Sequence, residues 1–353
     1  MTTKKIAVLG AGHSGYGMAA DLTLAGHEIH LYEGIYKENL DPIIKRGGIE
    51  LTGISRNGFA KVNRVTTDIA EAIDGALLIM VVTTSQGHEA VAELLAPHLK
   101  DGQTIILLPG NFGSVLFASK LREKGIDKDI KIAEANSFVY ACRRIIGEAR
   151  VHISRFIPLC VAAFPASDTI SVLDNIKELY PDHVSPAKNV LEVALNNPNH
   201  FHLPIHILNA AYIENSPGPF YPYTQGISPA VFTIMEAVWQ EKGAVLEKLG
   251  LVEHVSFQSR RNYFNSLVPE QDTVTGPSDM QHREITEDCP NVVVPLVSIG
   301  KMIGVATPIS SALMTLTSEI NRTDYYTQGR NVEYLGISGL NVEQLNAFFD
   351  KGI

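Results

Sequence analysis

The sequence predicts an α/β protein: an N-terminal doubly wound parallel sheet followed by a C-terminal all-helical domain. Three observations carry that expectation. Short, continuous apolar runs alternate with helical stretches through the first half, the pattern of strands buried on both faces of a parallel sheet. From Asn189 onward the apolar period becomes mostly that of a helix. The chain has 353 residues, and domains usually hold about 100–200, so two are expected. The boundary is placed near residue 188, giving domains 1–188 and 189–353.

Ile6–Leu9 reads as a fully buried first strand. A helix from about Ser14 to Ala25 follows and stops at Gly26, a usual residue just past a helix end. Glu28–Tyr32, Leu77–Val82 and Thr104–Leu108 are further strands, with a helical stretch near His88–Leu95 between the last two. Ile49–Thr67 reads as a strand pair around Arg56-Asn57-Gly58, inserted into that scheme. Strand-like pieces continue at Ile130–Ala133, Ser137–Ala141, Val151–Ser154 and Leu159–Ala163, and a helix near Ser167–Tyr180 closes the unit. In the second half the candidate helices are Pro204–Ile213, Pro229–Leu249, Val292–Ile303, Pro308–Glu319 and Val342–Phe348. Several begin with proline in the first turn, with Ser228 or Thr307 as the capping residue.

Composition narrows the function classes. Hydrophobic residues make up 45% and charged residues 19%, ordinary globular values that allow a sizeable core. The formal charge is −9 and no Lys/Arg stripe occurs, which argues against nucleic acid or an anionic membrane surface as partner. Cys142, Cys160 and Cys289 are odd in number and form no CxxC pair, so neither a disulfide framework nor a zinc knuckle is expected. No apolar stretch reaches the roughly 18 residues of a membrane span, and the first strand is too short for a signal segment. A reducing, cytoplasmic location fits these features.

The first strand runs directly into Gly10-Ala11-Gly12-His13-Ser14-Gly15, a G-x-G-x-x-G at a strand-to-helix junction. The first glycine permits the tight turn, the second lets a pyrophosphate approach the backbone, and the third lets the helix sit close to the sheet. Free N–H groups and the dipole at the helix start, including those of His13 and Ser14, would then hold phosphates. Glu33 ends the second strand near the offset expected of a ribose-binding acid. Strand, glycines and acid together read as a Rossmann dinucleotide site. A carboxylate there repels a 2′-phosphate, so NAD is favoured and NADP is the alternative. Thr83 and Thr84 lie at the carboxyl end of the strand across the switch point, where ligands sit in such sheets. Pro109-Gly110-Asn111 would approach the nicotinamide end. Plain turns explain both segments equally well.

The second half holds a histidine cluster, Asn196-Asn197-Pro198-Asn199-His200-Phe201-His202-Leu203-Pro204 and then His206. Hydride transfer to a carbonyl or imine needs a proton donor near the developing charge, and histidine is the usual choice. Each of the three is also read as a satisfied core or surface residue. His202 and His206 have the i, i+4 spacing of a metal pair, but the glutamate of H-E-x-x-H is absent and Pro204 interrupts the turn, so no metal is expected. Downstream, Arg283 has the chemistry to clamp a carboxylate or phosphate, and Asp288 to orient a histidine. Glu284 and Glu287 read as a solvated helix start.

These residues together resemble the opine dehydrogenases, the octopine/nopaline dehydrogenase family, over nearly the whole chain. Glu134, followed by Cys142-Arg143, looks like that family's E-x(7)-C-R segment. His202 stands seven residues before Asn209, in Ile207-Leu208-Asn209-Ala210-Ala211, and matches the family's catalytic histidine, with Leu203 where proline is usual. His200 is the weaker match. Phe220 to Pro229 resembles an aromatic-E-G-I-[ST]-P segment, with Gln225 replacing the glutamate. Gly276-Pro277, Arg283 and Asp288 match a G-P…R…E-D segment, and Thr323 to Leu340 resembles the family's C-terminal signature.

The resemblance implies reductive condensation of an α-keto acid, usually pyruvate, with the amino group of an amino acid or amine, the imine being reduced to a secondary amine. It implies His202 and Asp288 as the catalytic pair and Arg283 as a substrate- or pyrophosphate-binding arginine; Asn111 and Tyr221 are further candidate substrate contacts. Family analogy also implies a homodimer. The aromatic, apolar stretch Tyr212–Tyr223 lacks an acidic cluster, which favours a neutral or hydrophobic amino acid over arginine. Two alternatives stay open: a hydroxy-acid or ketopantoate-type dehydrogenase, and a dinucleotide sensor without turnover. The first normally uses a lysine in the catalytic helix, and none lies between Lys188 and Lys242.

Overall fold

The computed structural model describes residues 3–267 and 274–352. The chain divides into two compact units, Met1–Val193 with Phe348–Ile353, and Ala194–Ala347.

Among the described residues the first unit has twelve strands: β1 (Lys5–Leu9), β2 (Glu28–Tyr32), β3 (Ile49–Gly53), β4 (Gly58–Ala60), β5 (Arg64–Thr66), β6 (Leu78–Val81), β7 (Thr104–Leu107), β8 (Lys131–Ala135), β9 (Tyr140–Arg144), β10 (Arg150–Phe156), β11 (Leu159–Ala163) and β12 (Val184–Pro186). Eight of them form one sheet in the order β12-β11-β8-β7-β6-β1-β2-β5. Every neighbouring pair is parallel except β8 with β11. The chain leaves β1 to β2 on one side and returns to β6 on the other, so the switch point falls between β1 and β6. The continuous apolar runs are fully buried at Ile6–Leu9 and Leu78–Val81, because helices cover both faces.

The remaining four strands make a second sheet, β4-β3-β10-β9. Here the expectation of a simple inserted strand pair is corrected. β3 and β4 are antiparallel as a hairpin, but β3 also pairs with β10, and β10 with β9. The strand expected at Ser137–Ala141 begins at Tyr140 and belongs to this sheet. A buried aspartate on the first helix ties the two layers together: Asp21 accepts from Arg56 at 2.9 Å, from Tyr140 at 2.7 Å and from the Ser55 hydroxyl. No apolar periodicity reports such a tether, so the sequence pattern does not announce the second layer.

The first unit also ends later than residue 188. Val190, Leu191 and Val193 are buried, and Asn189 donates to Asp350 at 2.8 Å. The last helix, Val342–Lys351, returns its final residues to this unit, where Phe349 packs against Phe112 and Phe164.

Among the described residues the second unit is built from helices. Its longest, Pro229–Leu249, buries Val231, Met235, Val238, Trp239, Lys242, Val245, Leu246 and Leu249, one face at helical spacing. Ser228 caps it, accepting from the Val231 N–H, and Gly250 ends it in the left-handed conformation at φ 68°. Thr307 makes no side-chain cap at Pro308–Asn321. The Glu241 carboxylate accepts instead from the N–H groups of Ile309 and Ser310, at 2.6 and 2.9 Å. The single helix expected at Pro204–Ile213 is two, His202–Ile207 and Ala210–Asn215. Asn209 breaks it by donating to the carbonyls of Ile205 and Gly226. Among the described residues from Asn189 onward four α-helices lie outside the expected set: Val190–Leu195, Phe257–Asn265, Arg283–Thr286 and Tyr325–Gln328. A π-helical turn, Cys289–Val293, leads into Val294–Ile303.

Candidate active site

The glycine loop has the geometry a dinucleotide requires. Gly10 sits at φ 111°, a conformation that suits glycine. A methyl on Gly15 would lie 1.8 Å from the Gly10 carbonyl oxygen, so the third glycine is what seats the first helix on the turn. A methyl on Gly12 would meet nothing within 4 Å, leaving the outer side of the turn open. No side chain caps the helix His13–Leu24 at its N-terminus. An open backbone cradle at an uncapped helix start suits a pyrophosphate. His13 accepts through Nδ1 from the Arg144 N–H at 3.0 Å, which anchors the loop to β9. Ser14 lies in the first turn of the same helix.

Glu33 is buried, and its carboxylate holds the loop together. It accepts from Ala11 N–H at 2.9 Å, Ile35 N–H at 3.0 Å and Tyr36 N–H at 3.1 Å. A carboxylate offers about four lone-pair sites, so room remains for a ribose hydroxyl. Thr83 lies against Gly10, and its buried Oγ1 has no hydrogen-bond partner among the described residues; Thr84 is exposed.

The loop after β7 is held in an unusual backbone conformation. Asn111 and Phe112 have φ of 52° and 67°, and Pro109 follows a cis peptide bond. Glu134, fully buried on β8, secures this loop by accepting from Phe112 N–H, Ser114 N–H and the Ser114 hydroxyl. The Asn111 amide donates to Ser85 at 2.9 Å.

The second unit brings together residues more than 80 positions apart. His202 opens the helix His202–Ile207, and its Nδ1 lies 2.5 Å from Asp288 Oδ2. Both side chains are buried, and the Asn199 amide donates to the other Asp288 oxygen at 3.2 Å. The opposite nitrogen, His202 Nε2, faces the Tyr223 hydroxyl at 3.1 Å. Burial pulls the His202 imidazole down, but the charge and hydrogen bond of Asp288 more than offset it, and the net shift is upward. One helical turn on, His206 Nε2 meets Glu284 Oε2 at 3.1 Å. Here burial wins and holds His206 below the usual histidine range. Burial opposes ionisation of Glu284 too, yet the His206 hydrogen bond and the nearby His202 hold its carboxyl well below the usual range.

This corrects the solvated reading of Glu284 and Glu287, for both are buried. Arg283 is about half exposed and pairs with Glu287 at 3.5 Å. His200 is buried, and burial with the Lys242 charge nearby pushes it down to about 3. Tyr221 makes its backbone N–H bond to Gln225, and the ring that meets His202 is Tyr223, two residues on. Tyr223 had no motif of its own; only its place in the Phe220–Pro229 segment pointed to it. A cavity of about 130 Å³ opens beside it, lined by Tyr223, Thr224, Ile227, Phe232, Phe264 and Leu267, with Asn265.

Comparison with known proteins gives the family and the fold. Residues 186–321 match the family described as NAD/NADP octopine/nopaline dehydrogenase, alpha-helical domain. Residues 5–129 match the NAD-dependent glycerol-3-phosphate dehydrogenase N-terminus. The chain is 32% identical to an opine dehydrogenase of Arthrobacter sp. (strain 1C), over 96% of each chain. Its fold is similar to that of an octopine dehydrogenase solved with NADH and agmatine, with a TM-score of 0.74, 18% identity and 99% of each chain covered. A yersinopine dehydrogenase bound to NADP+ shares the fold at a TM-score of 0.70 and 16% identity, over 99% of this chain and 98% of that one. Among the described residues no helix is long and apolar enough to cross a membrane.

Proposed function

The chain belongs to the opine dehydrogenase family, NAD(P)-dependent oxidoreductases acting on the CH–NH group of donors, and from that premise we propose that it joins a small α-keto acid to the amino group of a neutral, apolar amino acid and reduces the imine with NADH. The observation that carries this reading is the buried His202–Asp288 pair, whose other ring nitrogen meets the Tyr223 hydroxyl.

Asp288 accepts the Nδ1 proton, which leaves Nε2 as the atom that exchanges a proton with substrate. The upward shift of His202 keeps part of the population protonated near neutral pH, as a donor requires. His202 polarises the keto oxygen, and the same nitrogen supplies the proton when water leaves the carbinolamine. Arg283, still charged and half exposed beside Glu287, holds a substrate carboxylate. Among the described residues that line the cavity beside Tyr223, Ile227, Phe232, Phe264 and Leu267 are apolar and none is Asp or Glu, which supports an uncharged substrate side chain.

Gly10, Gly12 and Gly15 with the start of the first helix would hold the cofactor pyrophosphate, and Glu33 its adenosine ribose. The reduced nicotinamide supplies the hydride when bound. The Glu33 charge supports NADH over NADPH.

The test is loss of NADH with pyruvate and a panel of amino acids, each component omitted in turn. Loss that needs both partners, fastest with apolar amino acids, supports the proposal. Loss with pyruvate alone replaces it with a hydroxy-acid dehydrogenase, and cofactor binding without turnover across a broad panel replaces it with a sensor.

A further inference from the structure

We propose that His202, His206 and Glu284 form an inhibitory site for a divalent transition-metal ion of the zinc class. The sequence argues against a metal because H-x-x-x-H lacks the glutamate of H-E-x-x-H and Pro204 interrupts the turn. That glutamate is a general base, which an inhibitory site does not need, and the fold answers the objection from the proline while supplying a third ligand. Pro204 lies in the first turn of its helix, where the missing N–H has no partner to lose. The third ligand comes from a facing helix, Glu284, distant in sequence and adjacent in space. One ligating atom from each of the three residues lies within 4.8 Å of the other two, and all three residues are buried.

The donor set is right for the ion. Two imidazoles and one carboxylate, with a fourth position open, are a known zinc arrangement. Bonds of about 2.0–2.1 Å at tetrahedral angles put ligand atoms roughly 3.4 Å apart, and His206 Nε2 already stands 3.1 Å from Glu284 Oε2. The His202 and His206 ring centroids are 5.6 Å apart. Asp288 behind His202 Nδ1 is the outer carboxylate that fixes a metal-binding imidazole and leaves Nε2 as its ligand atom. Charge favours a dication too. Arg283 is matched by Glu287, which leaves Asp288 and Glu284 as two carboxylates beside the two histidines.

Metal uptake does not depend on the reaction proposed above. Inhibition does rest on that reading, because the ion would occupy the Nε2 that exchanges the proton.

The experiment uses the full chain after chelator treatment. Zn2+ uptake is measured by elemental analysis and equilibrium binding, and Co2+ is added as a visible-absorbing probe. His206→Gln and Glu284→Gln are carried alongside, with NADH binding and thermal melting as folding controls. One Zn2+ per chain, a tetrahedral Co2+ spectrum, and affinity weakened roughly 10–100-fold or more in both variants are expected. No stoichiometric uptake by the wild-type chain, or undiminished uptake in both folded variants, overturns the site. In turnover assays, Zn2+ should inhibit the wild-type enzyme reversibly and the variants far less. Uptake at these residues without loss of turnover overturns the inhibitory role. Absence of opine turnover in metal-free enzyme refutes the proposed reaction instead, and leaves the uptake result standing.

Discussion

Asp288→Asn tests the catalytic pair with the least change in volume. The asparagine carbonyl can still accept from Asn199, now 3.2 Å from Asp288 Oδ1. Its NH2 then faces His202 Nδ1, where an acceptor stood at 2.5 Å. The imidazole must take the opposite tautomer, with its proton on Nε2 toward Tyr223. The wrong nitrogen is then basic, and burial, no longer offset by a carboxylate, lowers the pKa. General acid–base catalysis contributes about 10²–10⁴ in rate, so turnover should fall by that factor, about 3–5 kcal/mol of barrier. The pH profile carries the more specific signature. Reduction needs protonated His202, so the wild-type rate should decline as pH rises through a pKa above the ordinary histidine value; in the variant the decline moves to lower pH. Stability should follow the same sign. The raised pKa adds stability that is complete below the ordinary histidine range and lost as pH rises through the shifted value. The assay is NADH loss with keto acid and amino acid across pH, with chemical denaturation in parallel. Turnover within about threefold of wild type, with an unmoved descending limb, would refute the assignment.

Three further outcomes follow from the geometry. Gly12→Ala should leave thermal stability near wild type, because its methyl meets nothing in the chain, yet raise KM for NADH roughly tenfold or more; Gly15→Ala, with its methyl 1.8 Å from the Gly10 oxygen, should lower the melting temperature and cofactor binding together. Glu33→Ala should narrow the preference for NADH over NADPH, read as the ratio of kcat/KM values, and should loosen the loop whose three N–H groups it accepts. Glu241→Ala removes the cap of Pro308–Asn321 and should cost about 1–2 kcal/mol in denaturant unfolding.

The first unit was legible because its signals are local. β1, the glycine turn and the first helix are contiguous, and a buried parallel strand announces itself as an unbroken apolar run such as Leu78–Val81. The second sheet was not legible, because β9 is a half-exposed strand with two arginines whose partners lie on β10 and, through it, β3. The same contrast runs through the candidate site. His202, Asp288 and Arg283 came from a resemblance to segments of fixed spacing. Tyr223 and the burial of Glu284 depend on tertiary packing that no window of sequence reports. Acidic residues near a helix start are solvated more often than buried, and Glu284 departs from that rule because a neutral imidazole donates to it.

Two histidines and two carboxylates make two pairs here, and the structure separates their roles. His202 and His206 are four residues apart, as are Glu284 and Asp288, and the pairs run in opposite senses along their two segments, 202 with 288 and 206 with 284. Equal spacing would make them interchangeable if the surroundings matched. They do not. His206 is fully enclosed, held neutral by burial, and gives its Nε2 to Glu284; its Nδ1 has no partner among the described residues. A proton placed on that ring would have no outlet. His202 is fixed at Nδ1 and faces at Nε2 the hydroxyl of Tyr223, a residue that lines the cavity. Both carboxylates raise its pKa, Asp288 by contact and Glu284 through space, while Arg283 opposes them. On the proposed reading the inner pair serves the outer one: it keeps a negative charge one helical turn from the imidazole proposed to react, while contributing no competing proton donor.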